Sequence, residues 1–296
     1  MERVLVTGVS GPIGAALVPY LESQGARIVR LVRGPVRGPD QISWNPEQPL
    51  APDAVSGFEA VIHLAGESIV GRWTEAKKQR IRDSRVLGTR HLATALAQAS
   101  AKPQVFVCAS AIGYYGNRGD EVLSETSTSG QGFLPEVCRE WEAASRIAAG
   151  AGIRTVNLRL GLVLSPKGGA LEKMLTPFQL GLGGKIGSGQ QWWSWIHVDD
   201  IVGVAHHALQ NESLSGPVNV VAPAPVRNAE FTRLLASVVR RPAFFPVPAF
   251  AARLAFGEMA EELLLNSERV LPARLQASGY SFRFGELRAA LEDLLG

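Results

Sequence analysis

A chain of 296 residues, 46% of them hydrophobic, can bury a sizeable core in one large or two small domains. Its 24 arginines and six lysines stand against 27 acids for a net charge of +3, with no long basic block, which argues against a nucleic-acid partner. No apolar run reaches the roughly 18 positions of a membrane span, so no membrane partner is expected, and two cysteines, Cys108 and Cys138, are too few for a disulfide framework or a metal cluster.

The first predicted strand, which begins at residue 3, is preceded by neither a charged n-region nor an apolar h-region. No signal peptide is therefore expected, and the cytoplasm is the expected compartment. Gly8, Gly11 and Gly14 follow at the spacing of a dinucleotide-binding turn. Gly8 turns the chain after the strand, Gly11 lets the backbone approach a pyrophosphate, and Gly14 permits close packing of helix on sheet. Pro12 suits the first turn of a helix running through Ala15 to Gln24, whose free N–H groups favour an anion. Gly25 closes that helix before a second strand, Ala26 to Val32. An NAD enzyme usually places Asp or Glu here for the ribose hydroxyls, yet no acid occurs between Glu22 and Asp40. Arg30, Arg33 and Arg37 stand there instead. A guanidinium grips a 2′-phosphate that a carboxylate would repel, so NADP(H) is the expected cofactor and Arg33 its chief contact, with Arg37 read as a solvated loop charge.

Strands are predicted next at Ala60 to Leu64, Val105 to Ala109 and Thr155 to Leu160, with helices at Arg85 to Gln98 and Pro135 to Ala149. This alternation implies an α/β fold, a Rossmann-like doubly wound parallel sheet that collects its ligands at the carboxyl ends of the strands. The residues following those ends are Gly8 to Gly14, Arg33, Ala65-Gly66, Ser110 to Gly116 and Gly161 to Gly169. From Leu171 the rhythm changes to a glycine-rich stretch, Pro177 to Gly189. An aromatic segment, Gln190 to Asp200, then leads into a helix that Asp199 or Asp200 would cap. The expected division is a dinucleotide-binding domain over 1–170, with a strand and helix returning from about 190–225, and a smaller C-terminal substrate lobe over 171–296.

His63-Leu64-Ala65-Gly66, Ser110-Ala111-Ile112-Gly113-Tyr114-Tyr115-Gly116, Arg159 to Leu164 and Trp195-Ile196-His197-Val198-Asp199-Asp200 resemble, in order, the landmarks of extended short-chain dehydrogenases/reductases. Leu64 to Ile69, Arg72-Trp73, Asp83-Ser84-Arg85 and Phe178 to Ser188 are similar to the atypical NADP-binding epimerase-family branch. Its own C-terminal segment resembles 244–294. The resemblance implies Ser10, Gly11 and Ile13 at the pyrophosphate, Val32 and Arg33 at the 2′-phosphoribose, Leu64, Ala65 and Gly66 at the ribose and adenine, and Val163 at the nicotinamide. It places Arg85, at a helix start, and Arg80 as further cofactor contacts.

Short-chain dehydrogenases pair a Ser with a Tyr whose pKa is lowered by a Lys four residues on, because an unperturbed phenol is a poor base at neutral pH. Ser110 matches the serine. None of the four tyrosines has that Lys, and no lysine lies between Lys102 and Lys167. Arg139 near the lysine position, a displaced Tyr114–Arg118 pair, Glu142 and His197 are weaker candidates, each with a structural alternative. The expectation is an oxidoreductase or epimerase-like enzyme acting on an unidentified small molecule, or an NADP(H)-binding regulatory protein that has lost the chemistry.

Overall fold

In this computed structural model, which describes residues 2–296, the chain begins β1 (Arg3–Thr7), α1 (Pro12–Ser23), β2 (Arg27–Val32), β3 (Gln41–Ser43), β4 (Ala60–His63) and α2 (Glu75–Gln98). It continues with β5 (Val105–Ala111), β6 (Val122–Leu123), α3 (Phe133–Gly150), β7 (Arg154–Leu160), β8 (Leu162–Leu164) and α4 (Gly169–Gln179). Next come β9 (Trp192–Trp193), β10 (Trp195–His197), α5 (Val198–Gln210), β11 (Gly216–Val220), β12 (Val226–Arg227) and α6 (Asn228–Val239). Then α7 (Ala249–Phe256), β13 (Arg269–Val270), α8 (Ala273–Ala277) and α9 (Leu287–Leu295) end the chain. The central sheet has the order β11-β7-β5-β4-β1-β2-β3, and every pair is parallel.

Both faces of that sheet are covered, which is why β4 and β5 read as near-continuous apolar runs rather than as alternating strands. One core packs Val4, Val6, Leu17, Leu21, Ile201 and Ala205 between the sheet, α1 and α5. The opposite core packs Leu5, Val61, Leu92, Leu96, Phe106 and Trp141 under α2 and α3. A third core, built on Trp195, Phe231, Leu235 and Leu291, holds α4, α6 and α9 together. Strand order reverses between β1 and β4, so their carboxyl ends open the crevice where ligands of such sheets collect. No helix among the described residues is long and apolar enough to cross a membrane.

Two elements differ from their sequence reading in ways that matter for the site. α2 starts at Glu75, ten residues before Arg85, because Thr74 Oγ1 accepts the Lys77 N–H at 3.2 Å as an N-cap. The polar run Glu75 to Asp83 hides that extension from a periodicity reading, and Asp83-Ser84-Arg85 lies inside the helix rather than at its start. At α5 the cap is His197, whose Nδ1 accepts from the Asp199 N–H at 3.0 Å. Asp200 does other work. Its buried carboxylate accepts the Arg283 and Phe284 N–H groups at 2.8 and 2.9 Å, tying the C-terminal segment to the helix start.

Candidate functional site

The glycine turn divides its labour. Gly8 has φ +72°, and a Cβ there would stand 2.6 Å from the Leu64 carbonyl carbon; a Cβ on Gly14 would stand 2.4 Å from the Gly8 oxygen. At Gly11 the nearest atom would be the Gly8 oxygen at 3.4 Å, so space in front of the helix stays open. Gly11 is the N-cap of α1 and supplies no side-chain cap, which leaves the Ile13 and Gly14 N–H groups for an anion. Ser10 stands exposed beside it. Gly168, after β8, packs on Pro12, where its Cβ would lie 2.5 Å from the ring, so the β8 loop closes over the same turn. Val9, Ile13, Leu64 and Val163 pack on one apolar cluster, which brings β8 to the glycine turn and the β4 end.

A buried relay locks β1 to β4 behind this turn. Thr7 Oγ1 accepts the Leu64 and Ala65 N–H groups, each at 3.1 Å, so its own proton goes to His63 Nδ1 at 2.7 Å. His63 Nε2–H then donates to Thr89 Oγ1 at 3.0 Å. Full burial drives the His63 pKa down to about 3, and the ring stays neutral.

After β4, Ala65 and Gly66 lead into Glu67. Ser84 Oγ accepts the Glu67 N–H at 2.9 Å, and Arg85 Nη1 donates to the Glu67 carbonyl at 3.0 Å and to that of Ile81 at 3.2 Å. Ser84 and Arg85 thus clamp the backbone after β4, and burial pushes the Arg85 guanidinium below its usual range. The Glu67 carboxyl is held below the usual carboxylate range, first by the 2.7 Å bond from Lys77 Nζ and further by the Arg80 and Arg33 charges. Arg30 is spent on ion pairs with Glu22 and Asp40. Arg33 is exposed, as is Arg37; Arg80 reaches Glu67 only at 4.0 Å. Lys77 thus pairs with this carboxylate, Arg80 reaches it at 4.0 Å, and the Arg33 charge acts on it from beyond ion-pair distance.

Ser110, at the end of β5, is buried, and its hydroxyl donates to Glu142 Oε1 at 2.8 Å. Arg159 holds the same carboxylate through Nε and Nη2 at 2.8 and 2.9 Å and donates through Nη1 to the Tyr115 hydroxyl at 2.9 Å. Tyr115 donates onward to Asn219 Oδ1 at 2.7 Å. Burial pushes the Tyr115 phenol up to about 12, despite Arg159, so it is no base at neutral pH. The place on α3 that faces Ser110 is filled by an ion-paired glutamate. Tyr114 lies under the Arg159 guanidinium at 3.5 Å, while Arg118 pairs with Glu121, so no displaced Tyr–Arg pair forms. Arg139 is exposed and braces Ser129 and the Gly130 carbonyl, so it does not stand in for the lysine. Trp195 and Trp193 are buried, and Trp192 is held between Arg227 and Arg269.

Sequence reasoning did not single out Glu268. Its Oε1 is sealed from solvent without a hydrogen-bond partner, although the residue keeps some exposed surface. Burial, helped by the Glu262 charge, pushes its carboxyl up to about 8. The folded chain then holds a proton that the unfolded chain releases above the ordinary value of 4.5, so stability is lost as pH rises from there to about 8. Glu268→Gln is expected to raise the melting temperature at pH 8 and leave it unchanged at pH 4. Thermal melts at the two values check this; an equal gain at both would assign the effect to packing.

The sequence profile of the NAD dependent epimerase/dehydratase family matches residues 4–222, and that of a domain of unknown function matches 247–294. The chain belongs to the NAD dependent epimerase/dehydratase family. It is 42% identical over 97% of its length to an epimerase family protein of Mycobacterium bovis, Mb2239, covering 96% of that relative. It is 38% identical to the human epimerase family protein SDR39U1, over 99% of both chains. The crystal structure of human SDR39U1 (isoform 2) with NADPH superposes with a TM-score of 0.92 at 36% identity, over 99% of each chain. A nucleoside-diphosphate sugar epimerase from Corynebacterium glutamicum gives 0.84 at 38% identity, over 100% of this chain and 58% of that one. Within the family, the epimerase-like branch expected from the strand-end motifs is the one these relatives represent. Among the described residues no group of three or more His, Cys, Asp or Glu is placed to hold a metal ion.

Proposed function

We propose that this chain binds NADP(H) at the β1–β4 crevice and catalyses hydride transfer on a small carbonyl or hydroxyl compound. Lys77 and Arg80 on the single carboxylate of Glu67, with the exposed Arg33 charge acting on the same group, carry the cofactor reading. Two cationic charges are left over there, which matches a 2′-phosphate better than a bare ribose. NADPH in the human SDR39U1 structure supports the same choice. The open N-terminus of α1 takes the pyrophosphate, Gly8 and Gly14 set its approach, and Val163 borders the nicotinamide. The cofactor supplies or accepts a hydride at its nicotinamide ring; the protein's part is to orient the two reactants and keep water out.

One observation favours the second reading, a cofactor-binding regulatory protein. Ser110 spends its proton on Glu142, so in this state it has none to donate to a substrate oxygen. Hydride transfer from 4-labelled NADPH across a panel of carbonyl compounds and nucleotide sugars separates the two. Label in any product supports the enzyme; tight NADPH binding with no transfer supports the regulator.

The cofactor assignment has its own test. Arg33→Asp is expected to weaken NADPH by roughly ten- to a hundredfold, the weight of a charged hydrogen bond or two, and to leave NADH within about twofold. Fluorescence titration of both nucleotides measures this, and an equal loss for the two would remove Arg33 from the 2′-phosphate.

A further inference from the structure

Among the described residues, eight of the twelve exposed large hydrophobic side chains lie within 180–182 and 244–256, led by Phe244 at 82%, Leu254 at 75%, Phe250 at 71% and Leu180 at 68% exposure. The two segments are neighbours. Phe245 N–H donates to the Gly183 carbonyl at 3.1 Å, Val247 N–H to that of Lys185 at 2.9 Å, and Gly187 N–H to that of Val247 at 2.8 Å. α7 follows directly after Pro248, and Phe250 and Leu254, one turn apart, share a face of it. Concentrated apolar exposure of this kind marks a contact surface rather than ordinary scatter.

Alongside lies a groove of about 670 Å³ between α6 and 242–246, whose walls carry Lys185, Arg233, Arg240 and Arg241 beside Phe244, and no acid. Among the described residues only Arg233 of these four has an ion-pair partner, Glu230 at 4.0 Å. Arg240 also takes the left-handed cap of α6, with φ 54°, a conformation that glycine adopts at lower cost. A cation is kept where the backbone alone would favour glycine.

We propose that this face docks on an anionic lipid surface, with the phenylalanines and leucines entering the acyl boundary and Lys185, Arg240 and Arg241 meeting the headgroups. A second copy of the chain fits poorly, because a two-fold contact sets these same cations against each other. A folded protein partner would need a separate pocket for each side chain standing so far out of the surface. A bilayer deforms around them, and pairing apolar anchors with a basic rim is what interfacial attachment requires. The expectation of no membrane partner rested on the absence of a spanning segment, and a protein that lies on a surface needs none.

The test is co-sedimentation of the full chain with vesicles of phosphatidylglycerol and phosphatidylcholine in equal parts, and with phosphatidylcholine alone. Binding to the mixed vesicles only, weakened by salt, is expected. Arg240→Gly should lower partition by about fivefold, the weight of one basic residue at such a surface. It should leave the melting temperature unchanged or higher, since the left-handed cap then holds a glycine. The Phe250→Ser, Leu254→Ser double variant should abolish sedimentation with an unchanged melting temperature. Failure of the parent chain to sediment with mixed vesicles overturns the proposal, as does equal binding to phosphatidylcholine alone. So does a dimer seen by light scattering in the free protein that Phe250→Ser dissolves.

Discussion

Glu142→Ala is expected to cost about 3–5 kcal/mol, the range found when one partner of a buried ion pair is removed, and to lower the melting temperature by roughly 5–8 °C for a chain of this size. The side chains of Arg159 and Glu142 are only 3% and 6% exposed, so water cannot replace the lost carboxylate. Burial alone would push the Arg159 guanidinium down, but its bonds to Glu142 and the Tyr115 hydroxyl outweigh that and raise it. Without Glu142 a cation is left buried at the carboxyl end of β7. Ser110 also loses its acceptor and Tyr115 its positioned neighbour, so the whole end of β5 is disturbed. Replacing both partners by apolar residues, Glu142→Leu with Arg159→Met, is expected to cost less than either single change, because no unpaired charge remains. Urea melts of the three variants form a double-mutant cycle. Additive costs near 1 kcal/mol each would show the pair to be solvated and the burial argument wrong.

That network also marks the limit of what the sequence reveals. The parallel sheet was legible because β1, β4 and β5 are short apolar runs, each followed by turn residues and a helix. The glycine turn was legible because its spacing is a geometric requirement. The start of α2 was not, since Glu75 to Asp83 is almost wholly polar and its N-cap, Thr74, gives a weak local signal. Arg85 is a different case. A motif singled it out as a cofactor contact, and its bonds to the Glu67 and Ile81 carbonyls add a clamp on the strand-end backbone, a role that no spacing encodes. Glu142 and Arg159 are 17 positions apart and join only when α3 lies across β7. A buried glutamate on an amphipathic helix looks the same in sequence as an exposed one. Glu268 was invisible for the same reason, because what distinguishes it is a missing partner.

The three turn glycines, equal in the motif, are expected to separate sharply on substitution. Gly14→Ala puts a methyl group 2.4 Å from the Gly8 oxygen and 2.6 Å from the Val9 Cα, both backbone atoms that cannot swing aside. Overpacking of that kind costs about 1–3 kcal/mol, and relieving it moves the helix start and with it the N–H groups proposed to meet the pyrophosphate. Gly8→Ala adds a left-handed backbone at φ +72° to a 2.6 Å clash with Leu64, prying apart the strand ends that Thr7 and His63 hold together. Both variants should lose stability and NADPH affinity together. Gly11→Ala meets nothing closer than 3.4 Å in the protein, so its melting temperature should stay unchanged while NADPH weakens by about tenfold or more, at least 1.4 kcal/mol. Melting curves paired with NADPH titrations distinguish the two behaviours. Loss of stability in Gly11→Ala would mean that this glycine serves the fold, and unchanged affinity would mean that no phosphate passes over it.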